Sequence, residues 1–219
     1  MEYPFSLEKN DSKIKLAEFL KHQANVEWGG YRLYDGNENH LQQIPDELSE
    51  FIFELIQYQR TKKAKIKKFL EIGFHIGFTN TILNKIFNFE EIVAIDTFDA
   101  IINGNSLRAN LRFKNLTLIC GNSTSDRVIN LVKTLGPFDL IFIDGNHDYD
   151  IVKQDFENYK EMVSSDGIIA FHDIFSVNYL GVAKLWKEII DSNKYESKTF
   201  FVNKFPMKAG IGILRNTVM

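Results

Sequence analysis

Phe69-Leu70-Glu71-Ile72-Gly73-Phe74-His75-Ile76-Gly77 is a short apolar run that ends in an acid and passes into two glycines, after which Thr79 to Phe87 has a helical pattern. A buried strand, a glycine turn and a helix open a βα unit, and glycine at such a turn lets backbone approach a ligand where a Cβ would clash. The same order recurs downstream. Ile92 to Ile95, Leu116 to Cys120, Leu140 to Ile143 and Ile168 to Phe171 are apolar throughout, as strands covered on both faces are. Between them Val128, Leu131, Val132 and Leu135 fall at helical spacing, as do Val152, Phe156, Tyr159 and Val163, and then Val182, Leu185, Trp186 and Ile189. These stripes predict helices that turn an apolar face to the sheet. Lys198 to Val202 and Ile211 to Leu214 read as two further strands of an antiparallel hairpin, joined by a loop with Pro206 and Gly210. The expected fold is α/β, a doubly wound seven-stranded sheet, mostly parallel, with its last strand reversed.

Upstream, Leu48, Phe51, Ile52 and Leu55 mark a helix opened by Pro45, and Leu16, Phe19 and Leu20 a weaker one. The expected division is an N-terminal helical extension over residues 1–60, capping the sheet or acting as a lid, and a catalytic domain over 61–219. The 219 residues suffice for a sizeable core, and 44% hydrophobic with 25% charged residues is ordinary for a folded protein. Twenty-six Lys and Arg against 29 Asp and Glu leave a net charge of −3, so nucleic acid is not an expected partner. The basic cluster Lys62, Lys63, Lys65, Lys67 and Lys68 reads as a solvated connection. No apolar stretch suits a signal peptide or a membrane span, so a cytoplasmic location without membrane contact is expected. Cys120, the single cysteine, is expected to fill a small apolar site.

The turn after the first strand is not the dinucleotide fingerprint, because His75 stands where Gly-x-Gly-x-x-Gly needs its second glycine. Glu71-x-Gly73-x-x-x-Gly77 instead resembles the first motif of class I S-adenosylmethionine-dependent methyltransferases, a Rossmann-like family. The resemblance implies that the turn faces the methionine part of the cofactor with Glu71 beside it. Asp96 ends the second strand, 25 positions after Glu71, where a carboxylate can accept both ribose hydroxyls of a nucleoside. Gly121-Asn122-Ser123 after the third strand falls where this fold meets the adenine, although a plain turn accounts for the same residues.

The most specific stretch is Phe138-Asp139-Leu140-Ile141-Phe142-Ile143-Asp144-Gly145-Asn146-His147, followed about 25 residues later by Asp166-Gly167-Ile168-Ile169-Ala170-Phe171-His172-Asp173. Asp144 and Asp173 end strands expected to be neighbours. Such strands lie about 4.8 Å apart, so the two carboxylates can converge on one cation. With the later Gly210-Ile211-Gly212-Ile213, this pattern resembles small-molecule O-methyltransferases of the macrocin and mycinamicin type, over Lys68 to Leu214. The resemblance implies metal ligands at Asp144, His172 and Asp173 and a general base at His147. It also places the transferred methyl toward Asp144. This chain has a histidine, His172, where the resembled enzymes have a glutamate; imidazole favours a softer first-row metal over Mg²⁺. His172 has three other readings, as a residue behind the ligands, as a base without metal, or as a plain hydrogen-bonded histidine at a strand end. His75 and His40 are assigned no role.

Together these readings describe a methyltransferase that uses S-adenosylmethionine and a divalent metal, Mg²⁺ or softer, to methylate a hydroxyl of a sugar or catechol-like small molecule. It is a possible homo-oligomer. Two alternatives stay open: a catalytically idle S-adenosylmethionine-binding module, and an N-methyltransferase without metal. The latter usually carries Asn or Asp before Pro-Pro-aromatic after the fourth strand, where this chain has Asp144-Gly145-Asn146-His147.

Overall fold

A computed structural model describes residues 12–22, 43–75, 77–99, 113–203 and 208–216. His40 and Pro206 lie outside them. In chain order the elements are α1 (Ser12–His22), α2 (Pro45–Lys62), β1 (Lys68–Ile72), α3 (Phe78–Phe87), β2 (Glu91–Asp96), β3 (Leu116–Cys120), α4 (Asp126–Lys133), β4 (Phe138–Ile143), α5 (Tyr149–Tyr159), β5 (Val163–His172), α6 (Leu180–Asp191), β6 (Tyr195–Phe200) and β7 (Ile211–Asn216). The strands form one sheet in the order β3-β2-β1-β4-β5-β7-β6, in which β7 alone runs against the rest. This is the expected doubly wound sheet with its last strand reversed.

Successive residues of the central strands supply two cores, because side chains alternate across a strand. Phe69, Leu140, Phe142, Ile168 and Ala170 meet α1, α2 and α3 on one face, whereas Leu70, Ile141, Ile143, Ile169 and Phe171 meet α4, α5 and α6 on the other. Helix α2 stacks the Phe51 ring on Phe142 at 5.8 Å, so it completes the first core; a boundary at residue 60 falls within this helix. No helix among the described residues is long and apolar enough to cross a membrane.

The structure moves several expected boundaries. Helix α5 ends at Tyr159 and continues as one tighter turn, Lys160–Met162, which puts Met162 into the core and makes Val163 the first residue of β5. In α4 only Val128 and Val132, one turn apart, are buried; Leu131 points outward, 46% exposed, and Leu135 lies beyond the helix. Strand β6 begins at Tyr195 rather than Lys198, because an edge strand with four exposed residues lacks the apolar run that marks a central one. Cys120 does not fill an apolar site. It ends the edge strand β3, where only Ile119 is buried, and is exposed.

Candidate active site

The parallel register brings the C-terminal ends of β1, β2, β4 and β5 to one edge: Ile72 pairs with Ile95 and with Ile143, and Ile143 with Phe171. Strands β2, β4 and β5 end on or pass into an acid, Asp96, Asp144 and Asp173, and β1 passes into a glycine turn. At the end of β1 the turn holds Gly73 at φ +94°, His75 at +50° and Gly77 at +79°. A Cβ on Gly73 would lie 2.0 Å from the Asp144 carbonyl oxygen, and one on Gly77 would lie 2.3 Å from the Phe74 ring. The glycines are therefore demanded first by the protein's own packing. Asp96 fixes the turn from the neighbouring strand, one oxygen accepting the His75 N–H at 2.6 Å and the other the Phe98 N–H at 2.6 Å. Each oxygen keeps a further acceptor site for a ligand hydroxyl.

Glu71 shares a strand face with Phe69 and so points toward α3, where the Asn80 amide donates to it at 2.9 Å. Burial pushes its carboxyl well above the ordinary value, outweighing the Asn80 bond, and the charges of Asp144 and Asp96 add to the rise. Across the edge, Asn122 Oδ1 accepts from the Thr124 N–H and hydroxyl, both at 3.0 Å, a side-chain turn that starts α4. The Ser123 carbonyl accepts the Tyr159 hydroxyl at 2.8 Å, and Gly121 backs onto Val128. The predicted Gly121-Asn122-Ser123 segment is thus a firmly held loop beside the turn-bearing end of the sheet.

At the ends of β4 and β5 lies a cluster of carboxylates and imidazoles. His172 Nδ1 lies 3.1 Å from Asp144 Oδ1 and 3.3 Å from Asp173 Oδ2, and His147 Nε2 lies 3.0 Å from the same Asp173 oxygen. Burial works against a charged His172, but the carboxylates of Asp144 and Asp173 hold its pKa well above the ordinary value. Burial likewise opposes ionisation of Asp173, and the two imidazoles more than offset it, keeping that carboxyl below its ordinary range. His172 Nε2 is buried with no hydrogen-bond partner among the described residues, and the His147–Asp173 approach lacks hydrogen-bond alignment. Asp144, His147 and Asp173 can each offer a ligand atom within 4.8 Å of the others. Neighbouring ligands at right angles about a cation with bonds of about 2.1 Å stand about 3.0 Å apart. The spacings of the cluster match that figure, and its oxygen and nitrogen donors suit a divalent first-row cation.

Two members of this site carry no signal in the sequence. Gln43, just before α2, donates its amide to Asp144 Oδ2 at 2.6 Å and accepts the Thr79 hydroxyl. Glu47, in the first turn of α2, is fully buried and accepts the backbone N–H groups of Val202 at 2.9 Å and Gly210 at 2.8 Å. Burial raises its pKa against those bonds. The Tyr179 ring stacks on His147 with centroids 3.9 Å apart.

Residues 70–174 match a family described as a methyltransferase domain. No curated protein matches the chain. Among solved structures, it is similar to the S-adenosylhomocysteine-bound methyltransferase PaMTH1 of Podospora anserina, with 19% identity, a TM-score of 0.59 and 99% of each chain covered. It is also similar to the O-methyltransferase TomG of Streptomyces achromogenes in complex with S-adenosylmethionine, with 14% identity, a TM-score of 0.59, and 95% of this chain and 91% of that one covered. MycE of the mycinamycin biosynthetic pathway, in complex with Mg and S-adenosylhomocysteine, aligns with 16% identity and a TM-score of 0.54. That match covers 78% of this chain, which spans about half, 53%, of MycE.

Proposed function

From the premise of a methyltransferase domain on a class I S-adenosylmethionine-dependent fold, we propose that the chain methylates a hydroxyl of a small molecule with the help of a divalent cation. The observation that supports this reading is the convergence of Asp144, His172, Asp173 and His147 beside the glycine turn. S-adenosylmethionine would lie along Glu71, Gly73, Gly77 and Asp96, with its adenine toward Gly121, Asn122 and Ser123. It supplies the methyl group on an electrophilic sulfonium. Asp144 Oδ1, His172 Nδ1 and Asp173 Oδ2 would hold the cation, whose chemistry is to acidify a bound hydroxyl and neutralise its developing charge.

The work of the chain's own residues is positioning and proton transfer. His147 Nε2 would take the hydroxyl proton as the acceptor oxygen receives the methyl group, with S-adenosylhomocysteine as the other product. Neutral imidazole is base enough for an alcohol made acidic in this way. Asp173 beside His147 stabilises the imidazolium so formed, and Tyr179 holds the ring by stacking. A vicinal diol, as in a sugar or a catechol, offers a second oxygen to the same cation, which aligns the first.

Turnover is tested by following S-adenosylhomocysteine release with sugar and catechol acceptors, with and without EDTA. Chelation should abolish turnover, and His147→Ala should slow it about 10²- to 10⁴-fold with cofactor affinity retained. Full turnover in EDTA with no bound metal would reject the cation, and near wild-type turnover in His147→Ala would reject the base.

A further inference from the structure

We infer that Gln43 is the positioning residue that sets the plane in which Asp144 presents its carboxylate to a cation, and that Thr79 holds Gln43 in place. The inference rests on the cation reading above. Gln43 is 1% exposed, and its amide stands between an acceptor and a hydroxyl. A carboxylate only accepts hydrogen bonds, so the amide nitrogen must be the atom 2.6 Å from Asp144 Oδ2, and the carbonyl oxygen must face Thr79. Rotating the amide by half a turn would set oxygen against oxygen at Asp144. The carboxylate alone excludes that rotation, because a hydroxyl can donate or accept; the Thr79 hydroxyl holds the far end of the amide in place.

The consequence falls on Asp144. The terminal torsion of an aspartate is broad and roughly two-fold, so the side chain does not by itself fix the plane of its carboxylate. Gln43 occupies Oδ2 and thereby leaves Oδ1 turned to His172 Nδ1 at 3.1 Å. Thr79 belongs to the first turn of α3, two residues after Gly77, and Gln43 stands two residues before α2. One amide therefore links the glycine turn, the start of α2 and the carboxylate of β4. Glu47, a turn further along α2, holds that helix start against the backbone of Val202 and Gly210.

The test measures Mn²⁺ binding by calorimetry and electron paramagnetic resonance on the full chain, alongside S-adenosylhomocysteine affinity and melting temperature. Gln43→Met keeps the length and loses both hydrogen bonds; it should weaken Mn²⁺ binding about 10- to 100-fold, with cofactor affinity and melting temperature near wild type. Thr79→Val should weaken Mn²⁺ binding in the same direction, and Thr79→Ser, which keeps the hydroxyl, should restore it. If Gln43→Met does not fold, the Thr79 pair carries the test. Unchanged Mn²⁺ affinity in the variants, or metal and cofactor affinity falling together, overturns the inference while the cation reading stands. A wild-type chain that binds no Mn²⁺ overturns both.

Discussion

Asp155 shows at the scale of one residue what burial does to a charge. It lies on α5 with 0% exposure, and neither carboxylate oxygen has a hydrogen-bond partner among the described residues. Burial pushes its carboxyl up to about 6 from 3.8. A carboxyl raised in the folded state holds its proton more tightly there, so its stabilising contribution is complete below about pH 4 and is lost as pH rises through 6. Above that window the buried charge costs about 3 kcal/mol. Asp155→Asn should therefore raise the melting temperature at pH 7.5 and have little effect at pH 4; a melting temperature unchanged at pH 7.5 would show that Asp155 is solvated. Residues of this kind separate the legible from the illegible. Asp144, His147, His172 and Asp173 could be read because each stands at or just past an apolar strand end, so the fold's own geometry brings them to one edge. Gln43 reaches Asp144 across 101 positions from a segment without periodicity, and nothing local foretells that contact.

Among the elements, the turn between β1 and α3 carries the tightest constraint. A Cβ at Gly73 is excluded by the protein itself, because the Asp144 carbonyl oxygen lies where it would stand. Gly73→Ala combines a left-handed φ of +94° with a Cβ only 2.0 Å from backbone, so it should cost on the order of 3 kcal/mol. It should also displace Asp144 and weaken cation binding, whereas Thr134→Ala on the exposed end of α4 should leave cation binding as it is; urea unfolding and Mn²⁺ titration of both variants check this. The central strands were readable because burial on both faces leaves continuous apolar runs. The hairpin strand β6 was readable but its start was not, since four of its six residues are exposed, and the end of α5 was hidden because Val163 continues the helical spacing while the backbone has already turned.

Taken as a whole molecule, the chain draws its site from distant parts of the sequence: α2 and the residues before it bring Glu47 and Gln43 to the edge of a sheet whose strand ends bring Glu71, Asp96, Asp144 and Asp173. On the function proposed above, the cofactor and cation sites meet at Asp144, so each ligand should stabilise the same folded state. A ligand that binds only the folded chain adds about 2.7 kcal/mol at 100 times its dissociation constant. For a domain of this size each kcal/mol moves the melting temperature by about 2–4 °C. S-adenosylhomocysteine and Mn²⁺ should therefore each raise the midpoint by roughly 5–10 °C. Coupling between the sites is reciprocal: whatever factor Mn²⁺ imposes on cofactor affinity, the cofactor must impose on Mn²⁺ affinity. Asp144→Asn should remove the Mn²⁺ shift, keep most of the cofactor shift, and set that factor to one. Differential scanning calorimetry with each ligand and with both reads all three outcomes, and a full Mn²⁺ shift in Asp144→Asn would place the cation elsewhere on the molecule.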